Sequence, residues 1–550
     1  MDIKRILAAL LAGVVAVGAL SACGEKENNS SYSESREGAD ATDYILDIYD
    51  EDTDASNDSV DVVDEGAHIA NLDTDVSDYN LSGFDEETDT FNDSADVVDN
   101  DADIAYVDAD VSDYNLSVSD EETDTFYDSA DVVDEGTDIT NVGEDDSDDD
   151  IVLTDASMFE YYEKANGIAI TNYIGHETKI HIPDTIDGKP VTEIEENAFN
   201  EHFLVTEVHI GNNVTRIGQW AFNDCHSLKC IHIGNGVTVI DNYAFNECFS
   251  LAEVYISDSV TYIGAGAFDG CSSISEVFIG DNVTYIGDWA FADCVSLTEI
   301  NIPDRVTHIG GSAFQNCVSL AKINIPNSVI TIGSSTFKGC TLLNEIIIPD
   351  SVTEIGSRMF CDCTSLTNVH IGNSVAEIGG DAFRNCDSLV NVHIGDSVSR
   401  IGYEAFYGCT SLMEINIPSS VTYIDWHVFF GCASLTEINI PNNVTEIGEY
   451  TFYNCTSLND VHIGDNVTYL GDHVFSSCTS LTKINIPDSV TKISLGAFDD
   501  CTSLVNLDIP DSVTSIGDTT FDGCENIRVN YKGVTYTYNN IDDLYTAVNG

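Results

Sequence analysis

Apolar and polar residues recur with a constant period of 23 residues from about residue 199 to the end of the chain. Fourteen cysteines stand at this interval from Cys225 to Cys524, each with a Phe three positions earlier and a Leu or Ile three positions later. A constant period of this length is typical of a solenoid, in which every unit covers the hydrophobic face of its neighbour. The pattern predicts about 15 stacked coils, beginning one period earlier, where His202 takes the cysteine position.

Each coil is predicted to contain short strands joined by compact turns. In one representative coil, Ile300 and Ile302 alternate with polar residues, which indicates a short strand with one buried face. Pro303 ends this strand, because proline cannot donate a ladder hydrogen bond. Residues 306–309 form a second inward run, and Gly310 turns the chain. Stacking such strands in parallel would place the Cys, Leu, Ile, Val and Phe columns in one continuous core.

The regular cysteines admit two interpretations. Cα atoms one coil apart would be about 4.8 Å from each other, which allows a disulfide by distance. Side chains in register point in parallel, however, and this fits the disulfide torsion near 90° poorly. We therefore expect the ladder cysteines to be small buried thiols. Cys230 and Cys361 stand outside the ladder, and we expect both to be exposed.

The repeat unit A-F-x-x-C-x-S-L-x-x-I-x-I-(P/G)-x-x-V-T-x-I-G resembles the BspA-like leucine-rich-repeat family of bacterial surface proteins. The resemblance implies a β-rich leucine-rich-repeat solenoid of 23-residue coils, with short parallel strands and short helical turns. It also implies adhesion to host extracellular proteins, other bacteria or glycans. Segments resembling the family's caps flank the repeats. The predicted regions are an N-terminal cap at 151–201, the solenoid at 202–524 and a C-terminal cap at 525–550.

The first 22 residues predict a secretory signal. Lys4 and Arg5 precede an apolar run that is too short for a membrane span. The run ends in Leu20-Ser21-Ala22-Cys23, which resembles the lipobox of bacterial lipoproteins. The resemblance implies cleavage before Cys23 and lipidation of its sulfur, and several acyl chains together anchor a protein stably. An ordinary signal peptide with an accidental cysteine is the alternative.

Residues 23–150 are predicted to form a disordered acidic stalk. Residues 24–150 hold 45 acidic and 2 basic residues and contain a repeat of 35 residues. Such a chain repels itself and cannot bury enough apolar surface to offset the entropy of ordering. Diffuse condensation of divalent cations is expected there rather than specific calcium sites. The formal net charge of −77 argues against binding to nucleic acid or to anionic lipid headgroups, so the membrane is contacted through the lipid alone.

Outward positions on the predicted strands carry the candidate binding residues. Five positions after the ladder cysteine most coils have an acidic residue, and seven positions after it the column holds mainly His or Asn. Both columns should lie side by side on the concave face. Aromatic residues interrupt the polar column in one stretch, and such residues are enriched among binding hot spots. The candidate ligand-binding residues are Glu253, Tyr255, Glu276, Phe278, Glu299 and Asn301. A simpler interpretation is that the two aromatic rings only pack on each other.

Two pairs of outward histidines, His209/His232 and His370/His393, would lie about 5 Å apart, within reach of one Zn²⁺ together with nearby carboxylates. We favour the simpler interpretation of strand-surface histidines and assign no metal ligand, no cofactor and no catalytic residue. No motif for nucleophilic catalysis or phosphate binding is present, so an enzyme is not expected.

These features together predict a secreted, lipid-anchored protein on the bacterial surface that presents a repetitive concave face to an extracellular protein or glycan. Many weak contacts along a repeated face suit an extended or repetitive partner. The alternative function is a surface lipoprotein that captures polysaccharide or peptide for uptake.

Overall fold

A computed structural model of the chain describes residues 153–550. These residues form a β-solenoid of about 16 turns with coils of about 23 residues and little helix, which confirms the predicted fold class. Cys23 and the predicted acidic stalk at 23–150 lie outside the described residues.

The N-terminal end of the solenoid is closed by a small antiparallel unit. Strand β1 (Phe159–Lys164) pairs in antiparallel fashion with strand β2 (Gly167–Tyr173). The ring of Phe159 packs on Tyr173 and Phe199, with centroids 5.5 and 6.3 Å away. This packing covers the first ring of the core. The elements are a 3₁₀ turn (Ala156–Met158), β1 (Phe159–Lys164), β2 (Gly167–Tyr173), β3 (Lys179–His181), β4 (Thr185–Ile186) and β5 (Lys189–Ile194).

The longer strand of most coils belongs to one row of parallel strands, whose outward surface we call the strand face. The row consists of several short sheets, within which neighbouring strands pair about one repeat apart and equivalent residues of successive coils lie side by side. The row continues from β3 through β6 (Glu207–His209), β8 (Cys230–His232), β10 (Glu253–Ile256), β12 (Glu276–Ile279), β14 (Glu299–Asn301), β16 (Lys322–Asn324), β18 (Glu345–Ile348), β20 (Asn368–Ile371), β22 (Asn391–His393), β25 (Glu437–Asn439), β27 (Asp460–His462), β30 (Asn506–Ile509) and β32 (Arg528–Tyr531).

A second row consists, after its first strand, of two-residue strands that follow a Val-Thr dipeptide in most repeats. Threonine side chains reinforce this row, as where Thr284 Oγ1 donates to the carbonyl of Thr261 at 3.1 Å. The row continues from β5 through β7 (Arg216–Ile217), β9 (Val239–Ile240), β11 (Tyr262–Ile263), β13 (Tyr285–Ile286), β15 (His308–Ile309), β17 (Thr331–Ile332), β19 (Glu354–Ile355), β21 (Glu377–Ile378), β23 (Arg400–Ile401), β24 (Tyr423–Ile424), β26 (Glu446–Ile447), β28 (Tyr469–Leu470), β29 (Lys492–Ile493) and β31 (Ser515–Ile516).

The core is a set of continuous columns, and the ladder cysteines are part of it. All fourteen are buried and have free thiols, as expected. Each Sγ also donates to the carbonyl of the Phe 26 residues earlier, as Cys317 does to Phe291 at 3.1 Å. His202, in the cysteine position of the first coil, contacts the equivalent carbonyl of Tyr173 through Nε2 at 2.8 Å. The column therefore satisfies a row of buried carbonyls in addition to filling space.

The expectation for the two cysteines outside the ladder is corrected. Cys361 is 5% exposed and therefore buried, not exposed. The neighbouring coils carry Lys338 and Arg384 at the same position, and a small thiol between two long side chains is shielded from water. Cys230 is half-buried on the strand face, where it occupies the position that Glu207 has in the preceding coil.

The C-terminal end is covered by a hairpin and one helix. Strand β33 (Val534–Thr537) pairs antiparallel with β32, and a 3₁₀ turn (Tyr538–Asn540) leads into helix α1 (Ile541–Asn549). Ile541, Leu544 and Val548 of the helix are buried, and Tyr545 stacks on Phe521. The helix therefore shields the last coil from water. In the described part of the chain, no helix has both the length and the apolar character needed to cross a bilayer.

Candidate functional site

The six predicted site residues come together on three neighbouring strands of the strand face. Tyr255 lies opposite Phe278 in the β10–β12 pair, and Glu253, Glu276 and Glu299 follow one another in register. All six side chains are exposed, with Tyr255 at 56% and Phe278 at 49%. Because successive coils are in register, a contiguous patch follows directly from the 23-residue period.

The two aromatic rings are stacked on each other. Their centroids are 4.6 Å apart and their planes are inclined by 6°. One face of each ring is thereby covered by the other ring, so only the outer faces can contact a ligand. The next coil has the shorter Asn301 at this position, and this leaves the outer face of Phe278 beside open space.

A row of carboxylates runs beside the rings. Glu253, Glu276 and Glu299 repeat at the coil spacing of about 4.8 Å, and Lys322 takes the same position in the next coil. Partial burial, followed by the charges of the two nearest glutamates, raises the pKa of Tyr255, so its hydroxyl stays protonated at neutral pH. The row favours ligands that bring hydrogen-bond donors or positive charge.

The strand face contains a recess next to Phe278. Phe278 forms one wall and Ile347, three coils further on, forms the other, while Asn301 and Asn324 form the floor. Its volume is about 600 Å³. Tyr255 and Glu253 do not line the recess, because they lie on the preceding coil, where Tyr255 stacks on Phe278. The sequence interpretation missed Asn324 and Lys322 as parts of this site, although their place in the outward columns indicates it.

A second recess begins on the other side of Ile347. It has a volume of about 750 Å³ and is lined by stacked His370 and His393, whose ring centroids are 4.5 Å apart. Asn416 and Asn439 continue the floor, and carboxylates of neighbouring coils form the rim. The strand face therefore alternates between apolar ridges and amide- or imidazole-lined depressions.

The fold and this surface define the chain as a leucine-rich-repeat protein. The family described as BspA type Leucine rich repeat region matches residues 192–321, 307–434 and 399–528 in 6 copies, and the chain belongs to this family. Proteins of the family are typically found on the bacterial cell surface.

Several solved structures resemble the chain. A leucine-rich repeat protein from Bacteroides ovatus is 29% identical with a TM-score of 0.56, over 68% of this chain and 93% of that protein. A leucine rich cell surface protein from Faecalibacterium prausnitzii is also 29% identical, with a TM-score of 0.37 over 59% and 97% of the two chains. The pneumococcal vaccine antigen PcpA is 20% identical, with a TM-score of 0.42 over 62% and 93%. No functionally curated protein matches the chain.

Proposed function

We propose that the protein is a lipid-anchored adhesin that binds an extracellular protein or a glycan through its strand face. The observation that carries this proposal is the outer face of the Phe278 ring, which stands exposed beside an asparagine floor and a row of carboxylates. Membership in the BspA-type family supports the cell-surface location. Attachment through lipidated Cys23 rests on the lipobox-like sequence alone.

The chemistry of the patch defines the kind of ligand it would take. An exposed aromatic face binds apolar side chains or the C–H face of a sugar, and aromatic residues are enriched among energetic hot spots. The amides of Asn301 and Asn324 both donate and accept hydrogen bonds, whereas the glutamates only accept them. A hydroxyl-rich glycan or a basic protein segment meets these requirements. Because the coils repeat, many weak contacts along the strand face would together give a high avidity for an immobilised ligand.

Capture of polysaccharide or peptide for uptake is the second candidate function. The two recesses, of about 600 and 750 Å³, are within the size range of small-ligand sites and favour this alternative. A capturing protein would bind soluble oligosaccharides or peptides individually, whereas an adhesin would need an immobilised, repetitive ligand for strong binding.

The function is tested by presenting the full-length protein to a glycan array and to a panel of immobilised extracellular-matrix proteins. The proposal expects saturable binding either to glycans or to matrix proteins. Short soluble fragments of the same ligand should compete with this binding only when they are added at high concentration. Equally strong binding to the short fragments would favour capture. No binding to either panel would contradict both functions.

The lipid anchor gives a separate prediction. Cys23→Ser removes the sulfur that would carry the lipid, so we expect the variant to leave the membrane fraction. Fractionation of cells that produce wild type and variant, followed by immunoblotting, measures this. Cys230→Ser is the matched control and should stay with the membranes. If the Cys23 variant stays there as well, the chain is not anchored by lipid.

A further inference from the structure

A cluster of potential metal ligands lies on the strand face near its N-terminal end. Glu207 and His209 are on β6, and Cys230 and His232 are directly opposite them on β8. Residues two apart on a strand point to the same side, so all four side chains belong to one surface. No other pair of neighbouring strands in the described row combines two histidines, a carboxylate and a thiol in this way.

The geometry brings three of these ligands close together. One potential ligand atom each from Glu207, His209 and His232 lies within 4.8 Å of the other two. The imidazole rings are stacked with centroids 4.0 Å apart, and His209 Nε2 lies 2.7 Å from Glu207 Oε1. Zinc bonds of about 2.0–2.1 Å place tetrahedral ligand atoms about 3.3 Å apart, so the His209–Glu207 pair would separate slightly and more distant atoms would approach by up to about 1.5 Å. His209 is also stacked on His181, with centroids 4.2 Å apart, so the adjustment falls mainly on His232 and Glu207. The Cys230 Sγ is not part of this close group, and its side chain would have to turn toward the ion.

We propose that Glu207, His209 and His232 bind a divalent transition-metal ion such as Zn²⁺, with the thiol of Cys230 as the fourth ligand. Two imidazoles, a thiolate and a carboxylate are ligands that Zn²⁺ accepts in tetrahedral sites. Binding would replace the proton shared by His209 and Glu207 and would displace the Cys230 proton. With four protein ligands the tetrahedral site would be closed, as structural zinc sites are.

The carboxylate of Glu207 already has two partners. Its Oε1 lies 2.7 Å from His209 Nε2, and its Oε2 forms an ion pair with Lys179. Lys179, 2.7 Å from Glu207 Oε2, is the cation that the metal ion would compete with.

The chain provides its own control for this site. His370 and His393 are stacked like the first pair, but the strand positions two residues before them carry Asn368 and Asn391 instead of the carboxylate and thiol. Other coils carry Asn in the column of these four histidines, as Asn301 does, so we expect the His→Asn changes in this column to preserve the fold. A third histidine, His226, stands near two carboxylates in a turn and tests for a competing site.

The test is zinc titration of the full-length protein against a competing chelator, in reductant and excess Ca²⁺. Calcium saturates diffuse carboxylate binding, which all variants share. The proposal expects one tight site, weakened at least about 100-fold in H209N/H232N, because even outer-shell partners of a metal contribute about 10- to 100-fold. H370N/H393N and H226N should retain it. Equal affinity in H209N/H232N and wild type, or loss of the site in H226N or H370N/H393N, would overturn the proposal.

A second readout tests the thiol. Co²⁺ in place of Zn²⁺ should give a sulfur-to-cobalt charge-transfer band in wild type and in Cys361→Ser, and none in Cys230→Ser. A band that persists in Cys230→Ser would exclude this thiol as the fourth ligand. Circular dichroism of each variant shows whether the solenoid is intact.

Discussion

At the scale of single residues, the environment of each cysteine decides its chemistry. The ladder thiols are removed from water, and burial raises the pKa of Cys225 and Cys432 to about 12. Because the thiolate is the reactive form, these residues should be inert in the folded protein. Cys361 behaves like the ladder, since its burial, followed by the charge of Asp362, raises its pKa to about 12. The half-buried Cys230 differs from all of them in its access to solvent.

We therefore predict that Cys230 reacts first with a thiol reagent. Alkylation at neutral pH followed by peptide mass spectrometry should label Cys230 in the native protein, whereas Cys361 and the ladder cysteines should be labelled only after denaturation. The comparison between Cys230 and Cys361 is the critical one, because their sequence positions alone suggested equal exposure. If Cys361 is labelled as fast as Cys230, the Cys361 side chain is not buried in the native protein.

At the scale of the structural element, each coil contains two residues in the left-handed conformation. They stand five and one positions before the ladder cysteine, as Ser312 at φ 55° and Asn316 at φ 58° do. The second position carries Asp, Asn, Glu, Ser or Gly throughout the ladder, most of them residues that tolerate this conformation. The first position is less restricted and includes Trp289 and Thr519, for which positive φ is costly.

Replacement of Thr519 by Gly should relieve this strain. Thr519 is exposed and has a φ of 56°. The preceding coil already carries glycine at the equivalent position, Gly496, with a φ of 57°. Removing a left-handed penalty of about 1–2 kcal/mol outweighs the extra flexibility of glycine, about 0.5–1 kcal/mol. We expect unchanged or higher stability in chemical denaturation. Thr514→Gly, outside the left-handed positions, is the control and should lower stability. A clear loss in Thr519→Gly would contradict the backbone conformation.

The Phe column gives the opposite kind of prediction. The Phe314 ring is fully buried between Phe291 and Phe337, with centroids 5.6 and 5.7 Å away. Phe314→Ala should therefore destabilise the solenoid by about 3–5 kcal/mol. Phe278→Ala removes the same atoms from the exposed strand face and should cost about 1 kcal/mol or less. Denaturation followed by circular dichroism measures both, and equal losses would contradict the assignment of these two residues to core and surface.

The sequence predicts much at this scale because one period sets the register of every coil. Alternation around Ile300 and Ile302 was enough to predict a strand with an outward column, and the stacking of Tyr255 on Phe278 follows from that register. The first left-handed position could not be predicted, because residues such as Trp289 do not favour it. The burial of Cys361 also escaped prediction, since it depends on the long side chains at the same position in adjacent coils.

At the scale of the whole molecule, repetition turns small differences between coils into local sites. The outward column changes from imidazole to aromatic ring to amide and back, and each change in side-chain size creates a ridge or a recess. The order of these residues was readable from the sequence. The recess between Phe278 and Ile347 could not be predicted from the sequence, because its depth depends on how much shorter the side chains of the intervening asparagines are than those of Phe278 and Ile347.

The central claim is that the strand face around Tyr255 and Phe278 binds the ligand. The most direct measurement compares ligand binding, on the panel member that wild type recognises, by two double variants with unchanged circular dichroism. Tyr255→Asn/Phe278→Asn removes the rings from the strand face, and neighbouring coils already carry Asn there. Tyr403→Ser/Trp426→Ser removes two exposed aromatic residues of adjacent coils on the turn side, where other coils carry Ser. We predict at least about tenfold weaker binding for the first variant, as expected for loss of a hot spot, and unchanged binding for the second. Undiminished binding by the first variant would contradict the claim.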